Sequence, residues 1–221
     1  MSGYRVDVEP LPYPSRQRVW RLPKGDIRLW CPPDPEALLD RLIQAPSDPD
    51  DKMPYWADIW PSALALAGCV ECGLIQVDRR CVLELGAGLG LVSIAAARNG
   101  ARVRASDWDH DAIEYIRANS QLNGVDVGAE RLDWRDENAN LEAEVILAAD
   151  VLYEDRNAPW MMALLQRWAR PGRTAWLSDP GRKPAARLIR EIRGFRIRRH
   201  WRTAPGPAGD VDIQVYQLDA Q

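Results

Sequence analysis

In Cys81-Val82-Leu83-Glu84-Leu85-Gly86-Ala87-Gly88-Leu89-Gly90 a short apolar run breaks into a turn with three glycines, and residues 91–98 continue as a helix-forming segment. Glycines let the backbone turn tightly and come close to a ligand. A helix that follows such a turn aims its free N-terminal amides at whatever is bound there. The same alternation continues downstream. A strand over 102–105 ends at Ser106-Asp107, a helix spans 110–122, and Asn123-Gly124 marks a turn. A strand near 129–132, an acidic loop and the apolar run 144–149 come next. A helix over 159–169 stops at Pro171-Gly172, and a strand (174–177) and a helix (184–192) follow. The runs 195–201 and 211–218, separated by a loop over 203–209, read as an antiparallel pair. Strands alternating with helices form right-handed crossovers and a parallel sheet covered on both faces. The expected fold is therefore α/β: a doubly wound, mostly parallel seven-stranded sheet with an antiparallel edge.

Upstream of this unit the pattern changes. A helix runs from 62 to about 74, and residues 1–53 are rich in proline. Within that stretch, 18–21 and 26–30 read as strands around Pro23-Lys24-Gly25, 34–43 as a short helix, and 47–51 as a polar hinge. The expected division is a small appendage, 1–53, packed on a main domain, 54–221. The 221 residues suffice for one such domain, and 46% hydrophobic against 28% charged residues exclude disorder as the default. With 29 Lys and Arg against 32 Asp and Glu, the net charge of −3 gives no global attraction to nucleic acid or anionic membrane. No segment approaches the roughly 20 apolar residues of a membrane span, and the first residues lack the apolar core of a signal peptide. A soluble, cytoplasmic protein is expected. Cys69-Val70-Glu71-Cys72 has metal-like spacing, but no second pair accompanies it and the histidines are only His110 and His200. The pair reads as buried structural cysteines within a helix, and no metal site is expected.

Open α/β sheets bind ligands beyond the carboxyl ends of their strands, and four candidate carboxylates stand there. The glycine turn fits neither a dinucleotide fingerprint, because Leu91 occupies the small third position, nor a Walker loop, because no Gly-Lys-Ser/Thr follows. Asp107, 21 residues after Gly86, is placed to accept both hydroxyls of a ribose. The alternative is a helix N-cap, a task that Asp109 can perform as well. After the third strand, Asp133 can reach a base amino group and Trp134 can pack on the base. The fourth strand runs Val145-Ile146-Leu147-Ala148-Ala149 into Asp150-Val151-Leu152-Tyr153, which puts a carboxylate where a substrate should arrive.

This constellation resembles the seven-strand S-adenosylmethionine-dependent methyltransferases, over about residues 54–219, and within them the protein-lysine branch. Three stretches carry the likeness: Pro54-Tyr55-Trp56-Ala57-Asp58-Ile59-Trp60-Pro61, the Asp-x-x-Tyr motif Asp150-Val151-Leu152-Tyr153, and Ser178-Asp179-Pro180-Gly181-Arg182. The resemblance implies a Rossmann-like methyltransferase fold and S-adenosyl-L-methionine as methyl donor. Trp60 would then face the cofactor, Glu84, Gly86 and Gly88 surround its methionyl part, and Asp107 hold its ribose. Asp133 and Trp134 would lie near adenine, with Ala149 also in contact. Asp150 and Tyr153 would be the catalytic pair, Asp150 attracting and orienting a lysine ammonium and Tyr153 bounding the channel. It also implies a protein substrate such as the electron transfer flavoprotein β-subunit.

Three rival readings stand beside this one. Enzymes that methylate base amines resemble one another in an Asn/Asp-Pro-Pro-aromatic motif, and here Val151-Leu152 replace the prolines. Nucleic acid is accordingly the less expected partner, although Arg182, Lys183, Arg187, Arg190, Arg193, Arg196, Arg198, Arg199 and Arg202 make a basic segment. That segment also suits a solvated helix and edge strand, or docking of an acidic protein. A small-molecule N-methyltransferase and a non-catalytic cofactor-binding protein complete the three.

Overall fold

The computed structural model describes residues 11–32, 38 and 54–221; the expected helix over 34–43 and the hinge over 47–51 lie almost wholly outside them. An antiparallel hairpin, β1 (Arg16–Leu22) and β2 (Gly25–Cys31), comes first. Then follow α1 (Pro61–Glu71), β3 (Cys81–Leu85), α2 (Leu91–Arg98), β4 (Arg102–Asp107), α3 (His110–Leu122) and β5 (Val127–Arg131). The second half comprises β6 (Val145–Ala149), α4 (Asn157–Trp168), β7 (Thr174–Asp179), α5 (Lys183–Glu191), β8 (Phe195–Gly206) and β9 (Gly209–Ala220). Seven strands form one sheet in the order β5-β4-β3-β6-β7-β9-β8, parallel except for β9, which runs against both its neighbours.

The chain leaves β3 towards β4 on one side and later towards β6 on the other, so the order reverses at β3. A crevice opens where such a reversal occurs. The strands beside it are buried on both faces, which explains why β3 and β6 read as continuous apolar runs. One core layer lies under α1, α2, α3 and the hairpin, with Ile27, Leu29, Leu66, Ile94 and Ile116 inside. The other lies under α4 and α5 around Leu83, Leu85, Leu164 and Trp168.

The hairpin is tied to the sheet domain through its free edge. Asn119 in the last turn of α3 and Asn123, its C-cap four residues on, point to the same side. The Asn119 amide accepts from Trp30 N at 2.6 Å and donates to Trp30 O at 3.2 Å. The Asn123 amide accepts from Arg28 N at 3.1 Å and donates to Arg28 O at 2.6 Å. Two side-chain amides thus stand in for a missing strand, and the edge is closed to further pairing.

Two expectations need correction. The loop expected over 203–209 is mostly strand: β8 continues to Gly206, β9 begins at Gly209, and only Pro207-Ala208 turns between them. Proline is tolerated at Pro205 because β8 is an edge strand. The cysteine pair is not jointly buried. Cys69 is in the core, but α1 ends at Glu71 and leaves Cys72 exposed at its end. No group of His, Cys, Asp and Glu suited to a metal occurs among the described residues. Nor is any helix among them long and apolar enough to cross a membrane.

Candidate active site

A cavity of about 380 Å³ opens beyond the carboxyl ends of β3, β4, β5 and β6, within the usual range for small-molecule sites. Its floor is the glycine turn. A side chain at Gly86 would put its Cβ 2.8 Å from Val151 Cγ1, and one at Gly88 would meet the Trp56 carbonyl at 3.0 Å. Both residues have positive φ, so only glycine fits either the torsion or the space.

Asp107 ends β4 and is bolted to that floor. Its Oδ2 accepts from Gly88 N at 2.9 Å, and its Oδ1 accepts from Asp109 N at 3.0 Å. Burial pushes its pKa up to about 6, although the amide donors favour the anion. Capping of α3 falls to Asp109, which accepts from Asp111 N at 2.8 Å. Glu84 does not line the cavity: it is buried, takes a short hydrogen bond from Ser93 Oγ, and is pushed up to about 8 by burial.

Asp133 follows β5 and is gripped by Arg135, whose Nε and Nη2 each lie 2.9 Å from a carboxylate oxygen. That contact holds its carboxyl below the usual range. Trp134 lies against the glycine turn, its Cζ2 3.7 Å from where a Gly86 Cβ would stand.

On the opposite side, Asp150 follows β6 with φ +57°, a left-handed conformation that aspartate tolerates better than most residues. Its side chain is 5% exposed and ion-paired, Arg182 Nε lying 2.8 Å from Oδ1. Ser62 Oγ donates to Oδ2 at 3.2 Å. The reading from sequence left this carboxylate open for an ammonium; in the fold a guanidinium already holds it. The Tyr153 ring centroid is 4.7 Å from that of Tyr55. Burial first, then the Asp107 charge, pushes its phenol up to about 12. Trp60 stands at the rim, half exposed, with Nε1 donating to Tyr55 O at 2.9 Å.

Of the residues singled out from sequence, Trp60, Gly86, Asp107, Asp133, Trp134, Asp150 and Tyr153 line this cavity; Glu84, Gly88 and Ala149 do not. Other lining residues escaped that reading. Trp108 and Trp160 alternate with arginines along one wall: Arg131 lies 4.2 Å from the Trp108 ring, and Arg135 5.0 Å from Trp108 and 5.3 Å from Trp160. Trp108 adjoins Asp107 in sequence and was within reach of a local argument. Trp160 arrives on α4, where no local pattern points to it, whereas Arg182 closes the Ser178–Arg182 stretch that carries the family likeness, although nothing local assigned it to this cavity. The basic segment lies on α5 and β8, where several of its charges are engaged locally: Arg187 and Arg190 on Glu191, Arg198 on Asp219.

A model of the lysine methyltransferase family matches residues 55–178, more than half of the chain and all of the cavity lining except Arg182. The chain belongs to the lysine methyltransferase family. Relatives within it include the zebrafish (Danio rerio) protein N-lysine methyltransferase METTL21A, 33% identical over 120 residues, which are 50% of this chain and 54% of that protein. The electron transfer flavoprotein beta subunit lysine methyltransferase of Xenopus laevis is 35% identical over 134 residues, 58% of this chain and 53% of the relative. The chain thus spans about half the length of the curated relatives it matches. Among solved structures, the T. thermophilus 16S rRNA N2 G1207 methyltransferase, crystallised with AdoMet and guanosine, superposes with a TM-score of 0.63 at 20% identity, covering 96% of this chain and 52% of that one. A putative RNA methyltransferase from Pyrococcus horikoshii gives 0.60 at 15% identity, covering 85% and 99%. These two likenesses concern the fold: this lysine methyltransferase family member has the Rossmann-like methyltransferase architecture.

Proposed function

We propose that this protein transfers a methyl group from S-adenosyl-L-methionine to a lysine side chain of a protein. The observation that carries the reading is the pairing, across one cavity, of a carboxylate bolted to a glycine turn with an Asp-x-x-Tyr carboxylate on the far side, in a chain of the lysine methyltransferase family. The site suits the donor. Burial penalises the charge of Asp107, and two ribose hydroxyls donating to it would relieve that penalty. Gly86 lines the cavity and takes the positive φ that the tight turn requires. Trp134 and Asp133 would flank the adenine, Trp60 would cover the methionyl end, and Glu84, Gly88 and Ala149 would support the turn from behind.

When bound, the donor supplies a methyl group on a positively charged sulfur. The protein's part is to align a neutral amine with that methyl and to exclude water. Asp150 would orient the amine, and Tyr55, Trp60 and Tyr153 would form an aromatic collar around the lysine stem. A lysine has an ordinary pKa near 10.4, so its proton must leave before attack.

The electron transfer flavoprotein β-subunit is the first substrate to try, because a relative carries that name. Intact-mass analysis after incubation with S-adenosylmethionine should show additions of one methyl mass. Labelled transfer to a protein panel, RNA and small amines separates lysine methylation from its rivals. Incorporation into RNA alone overturns the lysine reading, and tight donor binding with no incorporation anywhere supports a non-catalytic binder.

A further inference from the structure

A bare carboxylate beside an incoming lysine favours the ammonium, which has no lone pair with which to attack. Asp150 is not bare. Arg182 Nε donates to its Oδ1 at 2.8 Å, and the arginine side chain, 36% exposed, lines the cavity wall. The arginine is held in place: its own N and that of Gly181 donate to Asp179 Oδ1 at 2.6 and 2.7 Å. Other charged or titratable groups face the pair. Asp179 contributes from β7 and Tyr55 from the segment ahead of α1. Tyr153, Glu154 and Arg156 share the cavity from the β6–α4 loop.

We propose that Arg182 is a positioning residue that neutralises Asp150, so that the site admits the lysine as free amine and orients it instead of trapping it as ammonium. This rests on the lysine reading above. At an effective dielectric constant near 20, a fixed cation several ångströms away lowers an amine's pKa by roughly one to two units. The neutral Nζ then attacks the methyl carbon. The N–C bond forms as the C–S bond breaks, the electron pair stays on sulfur, and the surplus proton on the product nitrogen passes to water. Asp150 keeps lone pairs for the amine N–H, because Arg182 donates to one carboxylate oxygen and Ser62 to the other, and each oxygen can accept twice.

The probe is n-butylamine, protonated at pH 7, titrated calorimetrically into the protein loaded with S-adenosylhomocysteine. Arg182→Gln should bind butylammonium at least tenfold more tightly than wild type. That gain should vanish in the Arg182→Gln/Asp150→Asn double variant, and Arg182→Lys should behave as wild type. With a methylated protein substrate, Arg182→Gln should move the midpoint of the pH–rate profile up by about one to two units, with S-adenosylhomocysteine affinity within a few-fold. Equal butylammonium affinity in wild type and Arg182→Gln, or an unmoved midpoint in the folded variant, overturns the role. Wild type alone also decides: it should bind uncharged 1-butanol more tightly than butylammonium at pH 7, and the opposite preference overturns the proposal even if the variant does not fold. Should wild type methylate no amine, the substrate reading fails, while the butylammonium and butanol comparisons still decide what Arg182 does.

Discussion

Asp107 and Asp150 stand at the ends of β4 and β6, the two strands that flank β3, and they are held in opposite ways. Asp107 is fixed by backbone amides from its own loop and the adjoining glycine turn. Asp150 is fixed by side chains from distant parts of the chain, Arg182 and Ser62, in a left-handed backbone conformation. Backbone donors leave a carboxylate with its charge and spare lone pairs, which suits neutral hydroxyl donors such as a ribose. A guanidinium cancels the charge, which suits an amine that must arrive unprotonated. On the function proposed above, one side of the cavity would hold the donor and the other would orient the amine.

If that division is right, substitutions on the two sides separate binding from chemistry. The largest effect is expected from Asp150→Asn. Asparagine tolerates the left-handed torsion and keeps an oxygen for Arg182, so the fold should survive. Single-turnover methyl transfer should slow by about 10²-fold or more through misalignment, with S-adenosylhomocysteine affinity within a few-fold. A well-folded variant with wild-type transfer would take Asp150 out of the reaction and collapse the comparison.

Asp107→Ala should do the converse. Losing a charged acceptor for buried hydroxyls costs about 1.5–3 kcal/mol, or roughly 10–150-fold in the dissociation constant for S-adenosylhomocysteine. Calorimetry on the folded variant measures it, and an unchanged constant would move the ribose elsewhere.

The raised pKa of Asp107, about 6, sharpens the contrast through pH. Hydroxyl donors prefer the anion, so affinity should be full above about 7 and fall several-fold as the pH drops through 6 towards 5. Asp107→Asn should flatten that dependence. A wild-type affinity that does not change between pH 5 and 7 would mean that Asp107 carries no ligand.

The smallest expected effect concerns Glu84, which lies behind the holding side and reaches about 8 by burial. Its pKa is raised above the unfolded value, so the folded state binds more protons across the window from about 4.5 to 8 and stability falls as pH rises through it. The ligand-free protein should therefore melt a few degrees lower at pH 8.5 than at pH 6. Glu84→Gln keeps an oxygen for Ser93 and should lose much of that slope. A melting temperature equally pH-dependent in both proteins would assign the slope to other groups.

Local sequence was a sound guide where the fold itself is local. In a parallel sheet, adjacent strands joined by one helix bring the residues at their carboxyl ends together. The glycine turn after β3 and Asp107 after β4 could therefore be placed side by side from spacing alone, and they touch. Asp133 and Trp134 after β5 followed by the same logic, although Arg135, two residues on, takes much of the Asp133 carboxylate. The 203–209 segment was misread because its prolines and glycines are turn formers, and only an edge position lets Pro205 stay in strand.

By itself, then, the sequence determined the alternation of elements, the glycine turn, the carboxylates Asp107, Asp133 and Asp150 at the mouth, and the family likeness. These follow from periodicity and from steric limits on the backbone, which act over a few residues. Tertiary structure alone decided who holds Asp150. Ser62 and Arg182 are separated from it by 88 and 32 residues, and no periodicity links them. The sheet order places β7 beside β6 and so delivers Arg182 at the start of α5, while α1 crosses above with Ser62. The same holds for Trp160 between two arginines, and for Asn119 and Asn123 closing the hairpin edge. Side-chain charge and hydrogen bonding depend on distance in space, and only packing sets that distance.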